Sequence, residues 1–402
     1  MRPLDTTKIT NSIWAIILLG LLLIYQLKEI VYPTGVISVS IALAELLICT
    51  VFLIMTFFSE NVSGIGKALM YVVGIVFLSY ILSEKVVMGT TVGVISTFSF
   101  FREFCGAVMP FFAFYSLSRR GEINLLIIKT FFVLSFIIAI IVFFHTIFTL
   151  EHDEMYMEEL TINASYRFVY LLPYVGLFKK NWGFLFLAPA LILAILSAKR
   201  GAILCVAVNF IIYTIYSIRQ SKEPLKLAIL ITVLFAALSY AVLYIYRITP
   251  YLQFRLENTL AGSTSGRDII LSKLWHYYLE NTGVVAFLLG YGFCATVNIA
   301  GIYAHNDWME FLIDTGLVGF ASLVVFTVFL FGILRRNAPD NLTRILLVAS
   351  IFIPTLFSMM FFNEDASSAF ILLGYVIGSE EYMRNAAIGS EDSVEEPACW
   401  NF

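Results

Sequence analysis

The chain has 402 residues, of which 60% are hydrophobic and only 13% charged, with a formal net charge of −3. Soluble proteins carry about 25% charged residues, so no polar surface can enclose this chain and lipid must be its main solvent. The slightly acidic balance and the absence of basic tracts exclude a nucleic-acid partner, while 37 Phe and 21 Tyr suit rings placed at a bilayer interface.

Taken in order, Arg2 and Lys8 precede an apolar run at 13–27 that no small-residue cleavage site follows, so it reads as a retained first anchor. A spanning helix needs about 20 mainly apolar residues. Twelve candidates meet or approach this: 12–31, 36–58, 65–83, 100–117, 123–148, 165–179, 182–198, 201–218, 226–246, 309–334, 344–362 and 365–379. The segment 165–179 is the weakest because Pro173 interrupts it. The expected fold is therefore an all-α polytopic membrane domain over 1–378, with one large outer loop at 247–308. An acidic tail at 379–402, holding six acids and one arginine, is expected to be disordered and cytoplasmic. No internal repeat points to an inverted-repeat transporter.

Cytoplasmic loops carry the Lys/Arg excess. With the N-terminus inside, the inner connections hold Lys67, Arg119-Arg120, Lys179-Lys180, Arg219 and Arg335-Arg336. The outer ones hold the acidic stretch 151–159 and Asn363-Glu364-Asp365. Two places break the rule. One is Lys199-Arg200 in the tight turn SAKRGA; the other is the loop 247–308, with Arg247, Arg255, Arg267 and Lys273. Basic residues kept on the outer face suggest an anionic ligand handled there. Within that loop Ile270, Leu274, Tyr277 and Tyr278 form one stripe of an expected amphipathic helix lying on the membrane surface.

The densest polar chemistry lies in 290–319, where His305, Asn306, Asp307 and Glu310 crowd together. His305 is the candidate base, because imidazole accepts a proton near neutrality, and Asn306, Asp307 or Glu310 are candidates to orient it. The alternative is a helix cap at Asn306 or Asp307 with His305 merely adjacent; both can hold together. Tyr291 and Gly292 read as a tight turn facing the same cleft, or as a plain surface turn. Arg200 and Arg267 present planar forks that match phosphate oxygens. The alternatives are snorkelling for Arg200 and pairing with Asp268 for Arg267, and Arg255 is equally open. Glu45, Arg102-Glu103, Lys129 and His145 fall within or beside spans. Cys49, Cys105 and Cys205 lie in apolar runs, and no cysteine spacing suggests a metal or disulfide. With no Walker A, HExxH or carboxylate-rich motif, neither ATP nor a metal is expected.

The blocks SAKRGA at 197–202, SGRDIILSKLWHYY at 265–278 leading to LLGYG at 288–292, and AHNDWMEFLIDTGLVG at 304–319 resemble the O-antigen ligase and O-antigen polymerase family of integral membrane glycosyltransferases. The resemblance covers the C-terminal two-thirds. It implies a polyprenyl-pyrophosphate-linked glycan donor, a glycan acceptor, and no cofactor. Arg200 and Arg267 match positions thought to hold the pyrophosphate, with Arg255 a further candidate; His305 matches the histidine thought to activate the acceptor hydroxyl. Lys199 departs from the small or polar residue common before the family's arginine. The implied activity is polymerisation of lipid-linked repeat units for a surface polysaccharide at the periplasmic face of the inner membrane, with a chain-length regulator as a possible partner. Ligation of finished polymer onto lipid A core is the alternative, and a lipid-linked glycan flippase is the rival from another class.

Overall fold

A computed structural model describes residues 12–31, 36–84, 87–90, 93–150, 164–178, 180–248, 253, 257, 266–280, 283–335 and 341–391. In chain order its helices are α1 (Ile13–Gln26), α2 (Lys28–Val31), α3 (Val36–Phe57), α4 (Gly64–Leu82), α5 (Thr97–Val108), α6 (Pro110–Arg119), α7 (Leu125–Leu150), α8 (Ser165–Leu171), α9 (Phe184–Leu196), α10 (Arg200–Gln220), α11 (Pro224–Ile248), α12 (Arg267–Glu280), α13 (Val284–Leu289), α14 (Ala295–Ala300), α15 (Asp307–Gly332), α16 (Asn341–Phe357) and α17 (Ser367–Glu391). The departure from an all-helical chain is one antiparallel hairpin, β1 (Val87–Thr90) with β2 (Gly93–Ser96), in register Val87 to Ser96. Its β-branched and glycine-rich sequence suits a short strand pair.

Each of the twelve expected spans falls on helix. Among the described residues six helices are long and apolar enough to cross a membrane: Val36–Phe57, Gly64–Leu82, Leu125–Thr149, Arg200–Gln220, Pro224–Tyr244 and Asp307–Arg335. Ile13–Gln26, Phe184–Leu196 and Asn341–Phe357 are shorter apolar helices. Large apolar side chains such as Leu47, Val51, Ile229, Leu230 and Val328 stand exposed, as expected of surface that faces lipid. The chain is a multi-pass membrane protein. The 165–179 segment breaks as its proline requires: α8 stops at Leu171 and a 3-10 turn runs Leu172–Leu177 around Pro173.

The centre of the bundle is the contact of α6 with α17. Gly374 and Gly378 are four residues apart, on one helix face. A Cβ at Gly374 would lie 2.5 Å from the Phe111 carbonyl oxygen, and one at Gly378 2.4 Å from that of Tyr115. Small residues at this spacing let helix backbones touch, which supplies packing where lipid offers no hydrophobic drive. Tyr115 donates to Glu381 at 2.7 Å, and Arg119 pairs with Glu381 at 3.2 Å.

These contacts correct one expectation. Disorder is expected from residue 379, yet α17 continues to Glu391. Glu380 meets the fully buried Arg344 at 3.2 Å, so acids that read as a solvated tail are partners of buried arginines. Residues 392–402 lie outside the described residues.

α15 is broken at Gly316, whose φ of 63° and ψ of −162° are not helical. Gly290 (φ 80°) packs there: a Cβ on it would lie 2.5 Å from the Asp314 carbonyl carbon and the Thr315 nitrogen. Tyr291 donates its amide to Ile313 O at 2.8 Å. Only glycine adopts such angles without cost at a backbone-to-backbone contact, so these two residues seat LLGYG against the break. The break leaves Asp307–Thr315 as a separate N-terminal half-helix below the His305 loop.

Candidate active site

The His305 loop is built from its carboxylates outward. Asn306 is the N-cap of α15, its side chain accepting from Met309 N at 3.0 Å. Asp307, Glu310 and Asp314 follow on one side of the half-helix and all are buried. Asp307 accepts from Met360 N at 2.7 Å and Phe361 N at 3.3 Å. Glu310 accepts from Ala304 N at 2.9 Å and from the Thr296 hydroxyl. Asp314 accepts from Cys294 N at 2.7 Å and Thr296 N at 3.3 Å. Buried polar groups must be matched, and here carboxylates match amides left over by the irregular segments 294–304 and 358–361. They are scaffold. Among the described residues none of the three hydrogen-bonds the imidazole, so the expectation that Asp307 or Glu310 orients His305 directly gives way to an indirect role. The cap expected at Asn306 is present.

His305 itself has φ 52°, a left-handed conformation that costs an L residue about 1–2 kcal/mol. Its ring sits edge-on to Tyr303, with centroids 5.4 Å apart. Burial pushes its pKa down to about 4, helped by the charges of Arg267 and Lys199. It is therefore a neutral imidazole at physiological pH.

The C-terminal end of α16 brings the cations in. The last carbonyls of a helix have no partner within it and carry partial negative charge. Leu356 O is taken by the Asn306 side-chain amide at 2.8 Å, and Phe357 O by the Arg267 guanidinium at 2.7 Å. Adjacent carbonyls thus hold the residue after His305 and the arginine that opens α12. The first turn of α10 abuts the same corner, because a Cβ on Gly201 would lie 3.4 Å from Phe357 O and 2.4 Å from the Tyr166 hydroxyl. Three segments far apart in sequence, 199–201, 267 and 303–306, therefore converge on 356–358.

Not every candidate joins them. Arg255 lies outside the described residues. Arg200 is exposed, whereas Lys199 and Arg267 are half-buried. Tyr291 packs edge-on to Tyr277 at 5.1 Å, and Gly292 (φ 101°) sits against Ser83, so this turn braces α12 and α4. On α12 the buried stripe is Leu274 and Tyr278, with Ile270 and Tyr277 partly covered, while His276 pairs at the surface with Glu280. Sequence reasoning missed Tyr166 and the 355–361 segment. The segment reads as the end of an apolar span; besides the Thr355 hydroxyl, which accepts from the Trp308 indole at 3.1 Å, its contributions are largely backbone atoms that no side-chain pattern reveals.

A second polar cluster lies across α1, α3, α5, α8 and the start of α17. Lys28 pairs with Glu364, Tyr25 donates to Glu364, and Arg167 pairs with Asp365 at 3.0 Å. Glu45 and Arg102 line the same cavity of about 30 Å³. Glu364 and Asp365 thus balance the half-buried Lys28 and the buried Arg167.

This arrangement defines a class: a polytopic membrane protein with a neutral histidine flanked by cations at a cluster of helix ends. Residues 185–324 match the family model described as O-Antigen ligase. The matched segment contains Lys199, Arg200, Arg267 and His305. No curated protein matches the chain in sequence.

Proposed function

We propose that the chain joins polyprenyl-pyrophosphate-linked oligosaccharide repeat units into a surface polysaccharide at the extracytoplasmic face of the bacterial inner membrane. The observation that carries this is His305, held neutral beside Arg267 and the Lys199-Arg200 turn. The acceptor hydroxyl oxygen bonds to the anomeric carbon of the donor, the bond from that carbon to the pyrophosphate oxygen breaks, and the hydroxyl proton passes to His305. The imidazolium then returns the proton to water. Pyrophosphate is already a good leaving group, so neutralising its charge and removing one proton are the main tasks. Arg267 and the 199–200 turn supply the positive charge. Arg255, in the same outer loop, is a further candidate for that grip.

The family description itself favours a second reading, transfer of finished polymer from the lipid carrier to lipid A core. The same residues would serve it. Cells carrying His305→Ala or Arg267→Ala at normal protein levels are expected to lose long-chain surface polysaccharide. Single repeat units left on lipid A core indicate a lost polymerase, and long polymer left on the lipid carrier a lost ligase. Wild-type chain length in both variants refutes the site.

A further inference from the structure

We propose that the groove between α3, α6 and α17 is a binding site for one phospholipid headgroup that carries both a phosphate and a primary ammonium. The groove lies at the end of the bundle opposite His305, as α4 shows. Near the C-terminal end of α4, Ser79 donates to Asp314 O at 3.0 Å, in the half-helix that follows His305. At the other end Gly64, its first residue, packs against the Phe329 ring in the last turns of α15. The connection 58–63 that enters α4 therefore marks the other boundary of the bundle. The groove there has a volume of about 380 Å³. Met55 and Glu60 line it from the end of α3, Arg119 and Arg120 from the end of α6, and Asn385 from α17.

Both guanidinium groups are held by part of their donor set only. Arg119 meets Glu381 through Nε at 3.2 Å and donates from Nη2 to Glu60 O at 2.8 Å. Arg120 uses Nε alone, towards Ser116 O at 3.4 Å and Glu122 at 3.3 Å. Among the described residues no group accepts from Arg119 Nη1 or from either Nη of Arg120, and no donor meets the Glu60 carboxylate. The free edge of an arginine fork matches phosphate oxygens. The charge balance then selects the kind of phosphate. Glu381 and Glu122 offset the two arginines, and Glu60 adds a further negative charge. A purely anionic headgroup would be opposed by that carboxylate. A headgroup with phosphate and ammonium satisfies both signs, and a primary ammonium brings three donors to the Glu60 oxygens, where a quaternary one brings none. The surface beside the groove belongs to acyl chains. Leu47, Val51, Ile54 and Met55 follow at helical spacing on one exposed face of the spanning α3, and Phe58, 79% exposed, extends it to the groove. Pockets with basic residues between spanning helices at a membrane boundary hold lipid head groups in this way.

The test uses the delipidated full-length protein in detergent, titrated with dioleoyl phosphatidylethanolamine, phosphatidylcholine or phosphatidylglycerol and read by native mass spectrometry. The wild-type protein is expected to retain one phosphatidylethanolamine about 10-fold more tightly than either other lipid, the size of one charged hydrogen bond. Arg120→Met should weaken that binding about 10-fold. Glu60→Gln should erase the preference over phosphatidylcholine while leaving phosphatidylcholine binding unchanged. Both positions are solvent-accessible, so both variants should melt with the wild type. Arg384→Met, which removes an exposed arginine on α17 that does not line the groove, should change neither value. Inorganic phosphate at the lipid's concentration should not displace it. Equal binding of the three lipids, or wild-type binding in both groove variants, overturns the proposal. Displacement by inorganic phosphate would make this a site for the free ion and overturns the lipid assignment.

Discussion

Replacing Glu310 separates scaffold from catalyst. The carboxylate is buried and accepts from the Thr296 hydroxyl and from the amide of Ala304, at 2.9 Å, one residue before His305. His305 stores about 1–2 kcal/mol of left-handed strain, so the loop holds its shape only while such contacts hold it. Glu310→Ala strands a buried amide and a buried hydroxyl, at about 1–3 kcal/mol each, for a total of about 2–6 kcal/mol. Glu310→Gln keeps the volume and one acceptor for Ala304 N, and the Thr296 hydroxyl turns to accept from the new amide. Its expected cost is about 1 kcal/mol. A base displaced by about 1 Å loses about 100-fold in rate, so Glu310→Ala should lose activity on that scale and Glu310→Gln no more than about 10-fold. The measurements are thermal unfolding of the purified protein by tryptophan fluorescence and repeat-unit polymerisation in vesicles. Should Glu310→Gln melt with the wild type yet lose activity more than about 1000-fold, the carboxylate itself reacts and the scaffold argument fails.

Other outcomes follow from the same geometry. Gly201→Ala places a methyl 2.4 Å from the Tyr166 hydroxyl; overpacking of this kind costs about 1–3 kcal/mol and should lower kcat/KM about 10-fold. Adding Tyr166→Phe relieves that clash, so the double variant should melt higher than Gly201→Ala alone; simple additivity would show the two do not meet. Asp365→Ala leaves Arg167, only 5% exposed, without its carboxylate and should cost about 3–5 kcal/mol in unfolding experiments, part of which Arg167→Met recovers in the double variant. The acid limb of kcat/KM should fall near pH 4, because His305 must be neutral to take a proton and its pKa in the free enzyme is about 4. A free-enzyme limb near pH 6.5 would show that neither burial nor the charges of Arg267 and Lys199 act on it.

The bundle was legible because its signal is compositional. Runs of about 20 apolar residues need no tertiary information to be read as helices. The expectations at His305 and Arg267 came from a related argument: in the expected orientation, a basic residue on the outer face needs a cause. The carboxylates were not legible. Asp307, Glu310 and Asp314 stand beside a histidine in sequence, which invites a catalytic reading, but their partners are amides at 294, 296, 304, 360 and 361 delivered by folding. Gly374 and Gly378 hid for the opposite reason, since glycine in an apolar helix marks nothing until the facing backbone is known. Arg344 and Glu380 read as an inner-loop cation and a tail acid, and only packing makes them a buried pair.

The sorting of charge around His305 has a chemical consequence. The buried acids near the loop are spent as acceptors for backbone amides, and the charges that act on the imidazole are those of Arg267 and Lys199. Arg267 and Lys199 add to burial in lowering the basicity of His305. An anionic donor reverses this. Pyrophosphate between the two cations cancels their effect and adds negative charge of its own, which raises the proton affinity of the neighbouring imidazole. On the proposed reading, the base becomes competent only when the leaving group is in place, and a water molecule arriving without the donor meets a poor one. In the proposed reaction the same two side chains hold the donor and make activation of the acceptor hydroxyl conditional on its presence. The acid limb of kcat, which reports the donor-bound state, should accordingly lie at higher pH than that of kcat/KM.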